Sequence, residues 1–164
     1  ILNIPNELIA QFLKTTKALE HRLENFFLKK NTLFVNDSKG TNVESTVKAI
    51  EAFKNKVVLI AGGENKKICN DELIKKINER VGFVYLIGET GTILAEEMDK
   101  VGYKKYKNLG TLEKVLLDIR ENIDFEDGQT ILFSPATASF DQFKNFEERG
   151  RIFKELTNKI LGEK

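Results

Sequence analysis

From Val57 onward, short apolar runs alternate with amphipathic runs of helical period, and very few architectures accommodate that alternation. Val57–Ala61, Phe83–Ile87 and Thr130–Phe133 are too short for helices and rich in branched or aromatic residues, so they predict buried strands. Asp71–Arg80, Ile93–Lys100 and Leu112–Asn122 carry apolar residues at helical spacing and predict helices, as does the longer run Asp141–Leu161. Lys105–Asn108 reads as a weak edge strand. Strands that alternate with helices pair in parallel through right-handed crossovers. Upstream, Leu23–Lys29 and Thr32–Val35 are strand-like and close enough for a hairpin, and a helix with Val43, Val47, Ile50 and Phe53 on one face follows. The expected fold is α/β: a mostly parallel sheet flanked by helices, with an N-terminal β-hairpin at its edge. Ile1–Ala18 reads as a short helix, with Pro5 in the first turn and Leu8, Ile9, Phe12 and Leu13 on one face. It has nothing obvious of its own to pack on, so it is expected to be a remnant of something larger.

In a parallel sheet the loops that follow the strands gather at one edge, where ligands bind. Four such loops are polar here: Asn36–Asn42, Gly62–Lys67, Gly88–Gly91 and Ser134–Ser139. Ser139 with Gln142 fits a capping box, which predicts that the long helix starts there, and Pro135, Ala136, Thr137 and Ala138 keep the loop close to the sheet. Free N–H groups at such a helix start favour a carboxylate or a phosphate. Thr41 with Glu44 is a second candidate capping box. In N-D-S-K-G-T-N, Asp37 supplies an acid and Lys39 a base beside that helix start. Capping alone, a turn closed by Asp37 and a solvated Lys39 are the plainer reading; together the residues resemble a nucleotide or phosphate contact. Lys66, after A-G-G-E-N, can offer a point charge to a carboxylate. His21 and Arg22 precede the first strand, and a lone histidine is more often structural than catalytic. Gly150 inside a helical pattern costs about 1 kcal/mol against alanine, which marks it as a close packing point.

Composition narrows the chemistry. The 164 residues suit one ordinary domain, and 26 Lys plus Arg nearly balance 25 Asp plus Glu. That balance leaves no electrostatic footprint for nucleic acid or an acidic membrane. No apolar run is long enough to span a bilayer. One Cys, Cys69, cannot form an internal disulfide, so the cytoplasm is the expected compartment. With one His and one Cys, no protein-only transition-metal site is expected. The chain has no G-x-x-x-x-G-K-[ST] loop to cradle a triphosphate, no G-x-S-x-G, and only part of a G-x-G-x-x-G at Gly88–Gly91. It offers binding groups without a complete catalytic set.

L-E-H-R at Leu19–Arg22, N-D-S-K-G-T-N-V at Asn36–Val43, G-G-E-N-K at Gly62–Lys66 and S-P-A-T-A-S-F-D-Q-F-K-N-F-E-E-R-G at Ser134–Gly150 occur in an order that resembles the C-terminal domain of the Mur ligases, in their D-glutamate-adding branch. The D-N-P-R-type motif of the branch that adds diaminopimelate or lysine is missing. The family usually has Ala at the position of Gly40 and often Cys at that of Thr137, changes not expected to upset binding. The resemblance implies a Rossmann-like fold and a division into residues 1–18, the tail of a central ATPase domain plus hinge, and 19–164, the D-glutamate-binding domain. It implies ATP-dependent amide formation in which D-glutamate is added to UDP-N-acetylmuramoyl-L-alanine, with Mg2+ and the missing domains supplied by the full-length enzyme, here expected to be a monomer. The fragment alone is expected to be inactive and to hold no cofactor. Thr41, Lys66, Ser139, Phe140 and Phe146 match positions that hold D-glutamate, with Ser139 acting through its hydroxyl and Phe146 through its backbone N–H. Arg22, Asp37 and Lys39 match positions that close on ATP, Asp37 suiting ribose hydroxyls and the bases phosphate. His21 matches a position near the reaction centre.

Two rivals remain at this stage. One is a free-standing Rossmann-like domain that binds a small anion or regulates a partner. The other is half of an oxidoreductase, weakened by the broken glycine fingerprint.

Overall fold

A computed structural model describes residues 5–15, 19–65 and 69–162. In chain order the elements are α1 (Asn6–Thr15), β1 (Glu24–Lys29), β2 (Thr32–Asn36), α2 (Val43–Glu51), β3 (Val57–Gly62), α3 (Asp71–Arg80), β4 (Val81–Ile87), α4 (Thr90–Lys100), β5 (Tyr106–Gly110), α5 (Leu112–Asn122), a 3-10 turn at Phe125–Asp127, β6 (Thr130–Phe133) and α6 (Phe146–Leu161). The six strands form one sheet in the order β1-β2-β6-β3-β4-β5. Only β1 is antiparallel, as the hairpin partner of β2; every other neighbouring pair is parallel. Among the described residues no helix is long and apolar enough to cross a membrane.

The period of two along each strand sorts the core into two layers. On one face Val35, Leu59, Leu86 and Leu132 meet Val47 and Ile50 of α2, Leu73 and Ile77 of α3, and Leu94 and Met98 of α4. On the other, Phe34, Ile60, Ile87 and Phe133 meet Val115 and Leu116 of α5 and Phe153 and Leu161 of α6. Every residue of β3 is buried, as expected of a central parallel strand covered on both faces.

This arrangement locates the crevice. The helix after β2 lies on the first face and the helix after its neighbour β6 on the second, so the loops leaving these strands diverge. The same holds between β6 and β3. Divergence of neighbouring connections opens a cleft at the carboxyl ends of the strands.

Two predicted helix starts are corrected. α6 begins at Phe146, not at Ser139 or Asp141, because Asn145 is the N-cap: its side-chain oxygen accepts from Glu148 N at 2.7 Å. Glu148 reaches back to accept from Lys144 N, so this pair closes the helix end. Ahead of it, the Ser139 carbonyl accepts from the N–H groups of Gln142 and Phe143, one turn that does not propagate. α2 is likewise capped by Asn42, whose side chain accepts from Ser45 N at 2.8 Å, rather than by Thr41. The predicted bounds of α3, α5 and β6 match the observed ones.

Candidate functional site

The crevice between β2 and β6 is built around Asp37, the first residue past β2. Its N–H donates to Phe133 O at 2.8 Å, which fastens the loop to the end of β6. Its carboxylate accepts from Leu23 N (3.2 Å) and from Ser134 Oγ (2.7 Å), so its side chain is held in one orientation. Ser134 Oγ also lies 2.8 Å from Thr46 Oγ1 of α2. Burial pushes the Asp37 carboxyl above the usual carboxylate range, against the opposing pull of Ser134, Leu23 N–H and the Arg22 charge. Arg22, Leu23, Asp37, Lys39, Gly40, Glu44 and Lys48 line one cleft of about 400 Å³. Thus Arg22, from the stretch before β1, and Asp37 and Lys39, from the loop after β2, share one cavity. Lys48, not singled out in the sequence, adds a third cation to it.

Gly40 is tightly fitted here. A Cβ at that position would lie 2.6 Å from Ser134 Oγ and 2.7 Å from Asp37 Oδ2. Gly40→Ala would need the Asp37–Ser134 pair to shift.

Of the residues matched to amino-acid binding, Ser139, Phe140 and Phe146 lie at the start of α6 and in the loop before it, and Thr41 lies ahead of α2. Ser139 is buried, and Thr41 is half-buried at the mouth of α2. The Phe146 ring carries Lys39 Nζ 5.5 Å above its centroid and meets His21 edge-on at 6.4 Å. Its carbonyl accepts from Ser38 Oγ at 2.8 Å. Phe140 is 64% exposed and faces a shallow depression with Gln142, Phe143, Lys144, Glu148 and Ile152, apart from the cleft. Lys66 lies outside the described residues. Gly63 lets the loops after β3 and β6 converge: a Cβ there, at φ 153°, would sit 2.4 Å from Ala138 O and 2.6 Å from Thr137 Oγ1. Thr137 Oγ1 and Asp141 Oδ1 are buried there without a hydrogen-bond partner among the described residues.

His21 is 3% exposed and takes the left-handed conformation, φ 64°. Its Nδ1 lies 2.9 Å from Asn36 Nδ2, which has only hydrogens to give, so Nδ1 accepts and the proton sits on Nε2. Burial lowers the pKa of the imidazole, although Glu20 and Glu24 beside it act to raise it. The ring packs against α6 at Gly150, where a Cβ would fall 2.3 Å from Nδ1. The close-packing reading of Gly150 is therefore correct, and His21 is the group it admits.

Two buried residues, Arg149 and Ser38, also escaped the sequence reading. Arg149 is fully buried, yet its guanidinium bonds only neutral oxygens, on Ser38 and Thr137. Ser38 is fully buried too, on the loop of Asp37 and Lys39. The available signal was periodicity: Arg149 lies three residues after Phe146 and four before Phe153, on the face that packs inward.

Comparison with known proteins gives this geometry a context. The pattern of the family described as "Mur ligase, glutamate ligase domain" matches residues 21–137, most of the chain. The chain belongs to the Mur ligase family. Proteins named "UDP-N-acetylmuramoylalanine--D-glutamate ligase" are similar along nearly its whole length. The one from Fusobacterium nucleatum subsp. nucleatum is 44% identical over 99% of this chain and 38% of its own, and the one from Caldicellulosiruptor bescii 38% identical over 96% and 34%. The chain thus spans about a third of the length of these Mur ligase relatives. The bifunctional folylpolyglutamate synthase/dihydrofolate synthase of Yersinia pestis CO92 matches at a TM-score of 0.64 with 15% identity, covering 94% of this chain and 35% of that one, which shows a shared fold. Within the Mur ligase match, Arg22, Asp37, Lys39 and Thr41 fall inside the family pattern, while Ser139, Phe140 and Phe146 follow it.

Proposed function

We propose that this chain is the amino-acid-presenting domain of an ATP-dependent ligase that joins D-glutamate to UDP-N-acetylmuramoyl-L-alanine in peptidoglycan synthesis, in the cytoplasm. The observation that carries the reading is the shared cleft of Arg22, Asp37 and Lys39 beside the loop that leads into α6. The family membership favours it over a free-standing anion-binding domain.

The residues fit a nucleotide. Arg22, Lys39 and Lys48 supply positive charge for phosphate oxygens, and the fixed Asp37 carboxylate retains lone pairs to accept from ribose hydroxyls. Magnesium fits less well. Among the described residues the group that could hold a cation is Glu20, His21 and Glu24, and Lys154 Nζ already sits 2.9 and 2.8 Å from the two carboxylates. In this reading the magnesium ligands come from the other domains of the full-length enzyme, as in the family the chain resembles.

In this reading ATP phosphorylates the carboxylate of UDP-N-acetylmuramoyl-L-alanine, and the D-glutamate amine displaces phosphate to form the amide. This domain contributes position and charge. Lys66, Thr41, the Ser139 hydroxyl and the Phe146 N–H hold the D-glutamate carboxylates, with Phe140 among the residues that bind the amino acid, and His21 near the reaction centre. Orienting two reactants removes several kcal/mol from a bimolecular barrier.

The test uses the full-length enzyme. Lys66→Ala raises the KM for D-glutamate and Asp37→Ala that for ATP, each by about tenfold to a hundredfold, the worth of a charge-assisted contact of about 1.5–3 kcal/mol. Equal effects on both substrates from either variant would overturn the division of the site.

A further inference from the structure

We propose that Arg149 is a positioning residue that bolts the loop after β2 to the loop after β6, so that the nucleotide-facing and amino-acid-facing contacts keep a fixed separation; the assignment of ligands to the two loops rests on the function proposed above.

The bolt is complete in its geometry. Arg149 Nε donates to Ser38 Oγ at 3.1 Å and Nη2 to Ser38 O at 2.8 Å, which grips the first loop at two points. Nη1 donates to Thr137 O at 3.0 Å on the second. Ser38 Oγ passes the tie on to Phe146 O at the first turn of α6, and Ser38 N donates to Asn36 Oδ1. Ala136 N donates to Gly40 O at 2.9 Å, a direct strut between the same loops. The guanidinium also lies 5.9 Å from the centroid of Phe133, the last residue of β6, and Nη1 lies 3.2 Å from where a Cβ of Gly63 would be.

The choice of side chain is what points beyond simple packing. Arg149 is 0% exposed, and among the described residues no carboxylate pairs with it within ion-pair distance. Desolvation lowers its pKa to about 10, with Asp141 the one acid whose field opposes the shift. Burying an unpaired cation is unfavourable, and apolar residues fill an interior of this kind at lower cost. A planar fork with five donors in fixed directions reaches both loops at once. Lysine keeps the charge but places its donors on one nitrogen, so it cannot span Ser38 and Thr137 in the same way.

The experiment compares Arg149→Lys and Ser38→Ala with the wild-type full-length enzyme by amide hydrogen exchange and by steady-state kinetics. Expected is exchange faster by about tenfold at Lys39, Gly40 and Ala136, with Leu59–Ala61 unchanged, since loops open locally without global unfolding. Expected too is a rise of about tenfold in the KM for ATP and for D-glutamate together, with a smaller change in kcat, because both substrates lose the same preorganisation. The double variant should lose less than the sum of the two single losses, because both changes break the contact between Arg149 Nε and Ser38 Oγ, while Ser38→Ala alone also removes the tie to Phe146 O. A residue that only stabilises the fold would lower the melting temperature and the active fraction and leave both KM values in place. Unchanged exchange in these loops, or loosened loops with both KM values within twofold of wild type, overturns the proposal. A wild-type enzyme that does not use D-glutamate would defeat the function proposed above, while the exchange result would still decide whether Arg149 ties the loops.

Discussion

At the scale of single residues, Gly150 and His21 act as one fitting. In an exposed helix, replacing glycine by alanine gains about 1 kcal/mol. At Gly150 the sign reverses, because the new Cβ would lie 2.3 Å from His21 Nδ1 and 2.8 Å from its Cε1 and Cγ. Relief would require His21 to leave its bond to Asn36, while the Asn36 amide also donates to Gly150 O. Gly150→Ala is therefore expected to destabilise by about 1–3 kcal/mol, the usual cost of overpacking; a melting temperature equal to or above wild type would refute it. The glycine was legible in the sequence because it breaks a helical pattern. Its partner was not, because a contact between residues so distant in the chain leaves no local pattern. Arg149 was hidden for a related reason: a charged side chain in an E-E-R sequence reads as solvated, and only its helical phase to Phe153 marks the buried face.

At the scale of elements, the start of α6 separates two tasks that the capping pattern assigns to one residue. Asn145 caps the helix, and Ser139 sits six residues earlier, in the loop. Losing an N-cap side chain costs about 1 kcal/mol, so Asn145→Ala should lower the melting temperature while leaving the KM for D-glutamate close to wild type. Ser139→Ala should do the reverse in the full-length enzyme. Paired melting and kinetic measurements decide this, and a stability loss at Ser139 equal to that at Asn145 would count against the separation. The pattern misplaces both helix starts because Ser and Thr three residues ahead of Gln or Glu satisfy it at both places. The competing Asn42 and Asn145 satisfy it better in space, each with a backbone N–H at 2.7–2.8 Å. The interiors of α3, α5 and β6 were legible because periodicity is set by burial, and burial is what the fold enforces.

At the scale of the whole molecule, the alternation of strands and helices made the α/β class readable, but not the insertion of β6 between β2 and β3. Strand order depends on pairing between segments far apart in sequence, and apolar strands such as Thr130–Phe133 would suit many neighbours. With both faces of the sheet covered, the chain carries a complete core, so residues 19–162 expressed alone should melt cooperatively. Lacking a phosphate-cradling glycine loop, the same protein should release no phosphate from ATP above a boiled control. Turnover by the isolated chain would contradict this.

The sheet also ends well. The outer strand β1 has six residues and an irregular register between Asn25 and Phe27, and it leads into Lys29 and Lys30. The opposite rim, β5, is five residues long and is flanked or occupied by Lys104, Lys105 and Lys107. A neighbouring molecule that tried to add its own strand would meet a twisted backbone on one side and ammonium groups on the other. A crowded solution of this protein should therefore stay clear, with no filaments growing from the sheet margins.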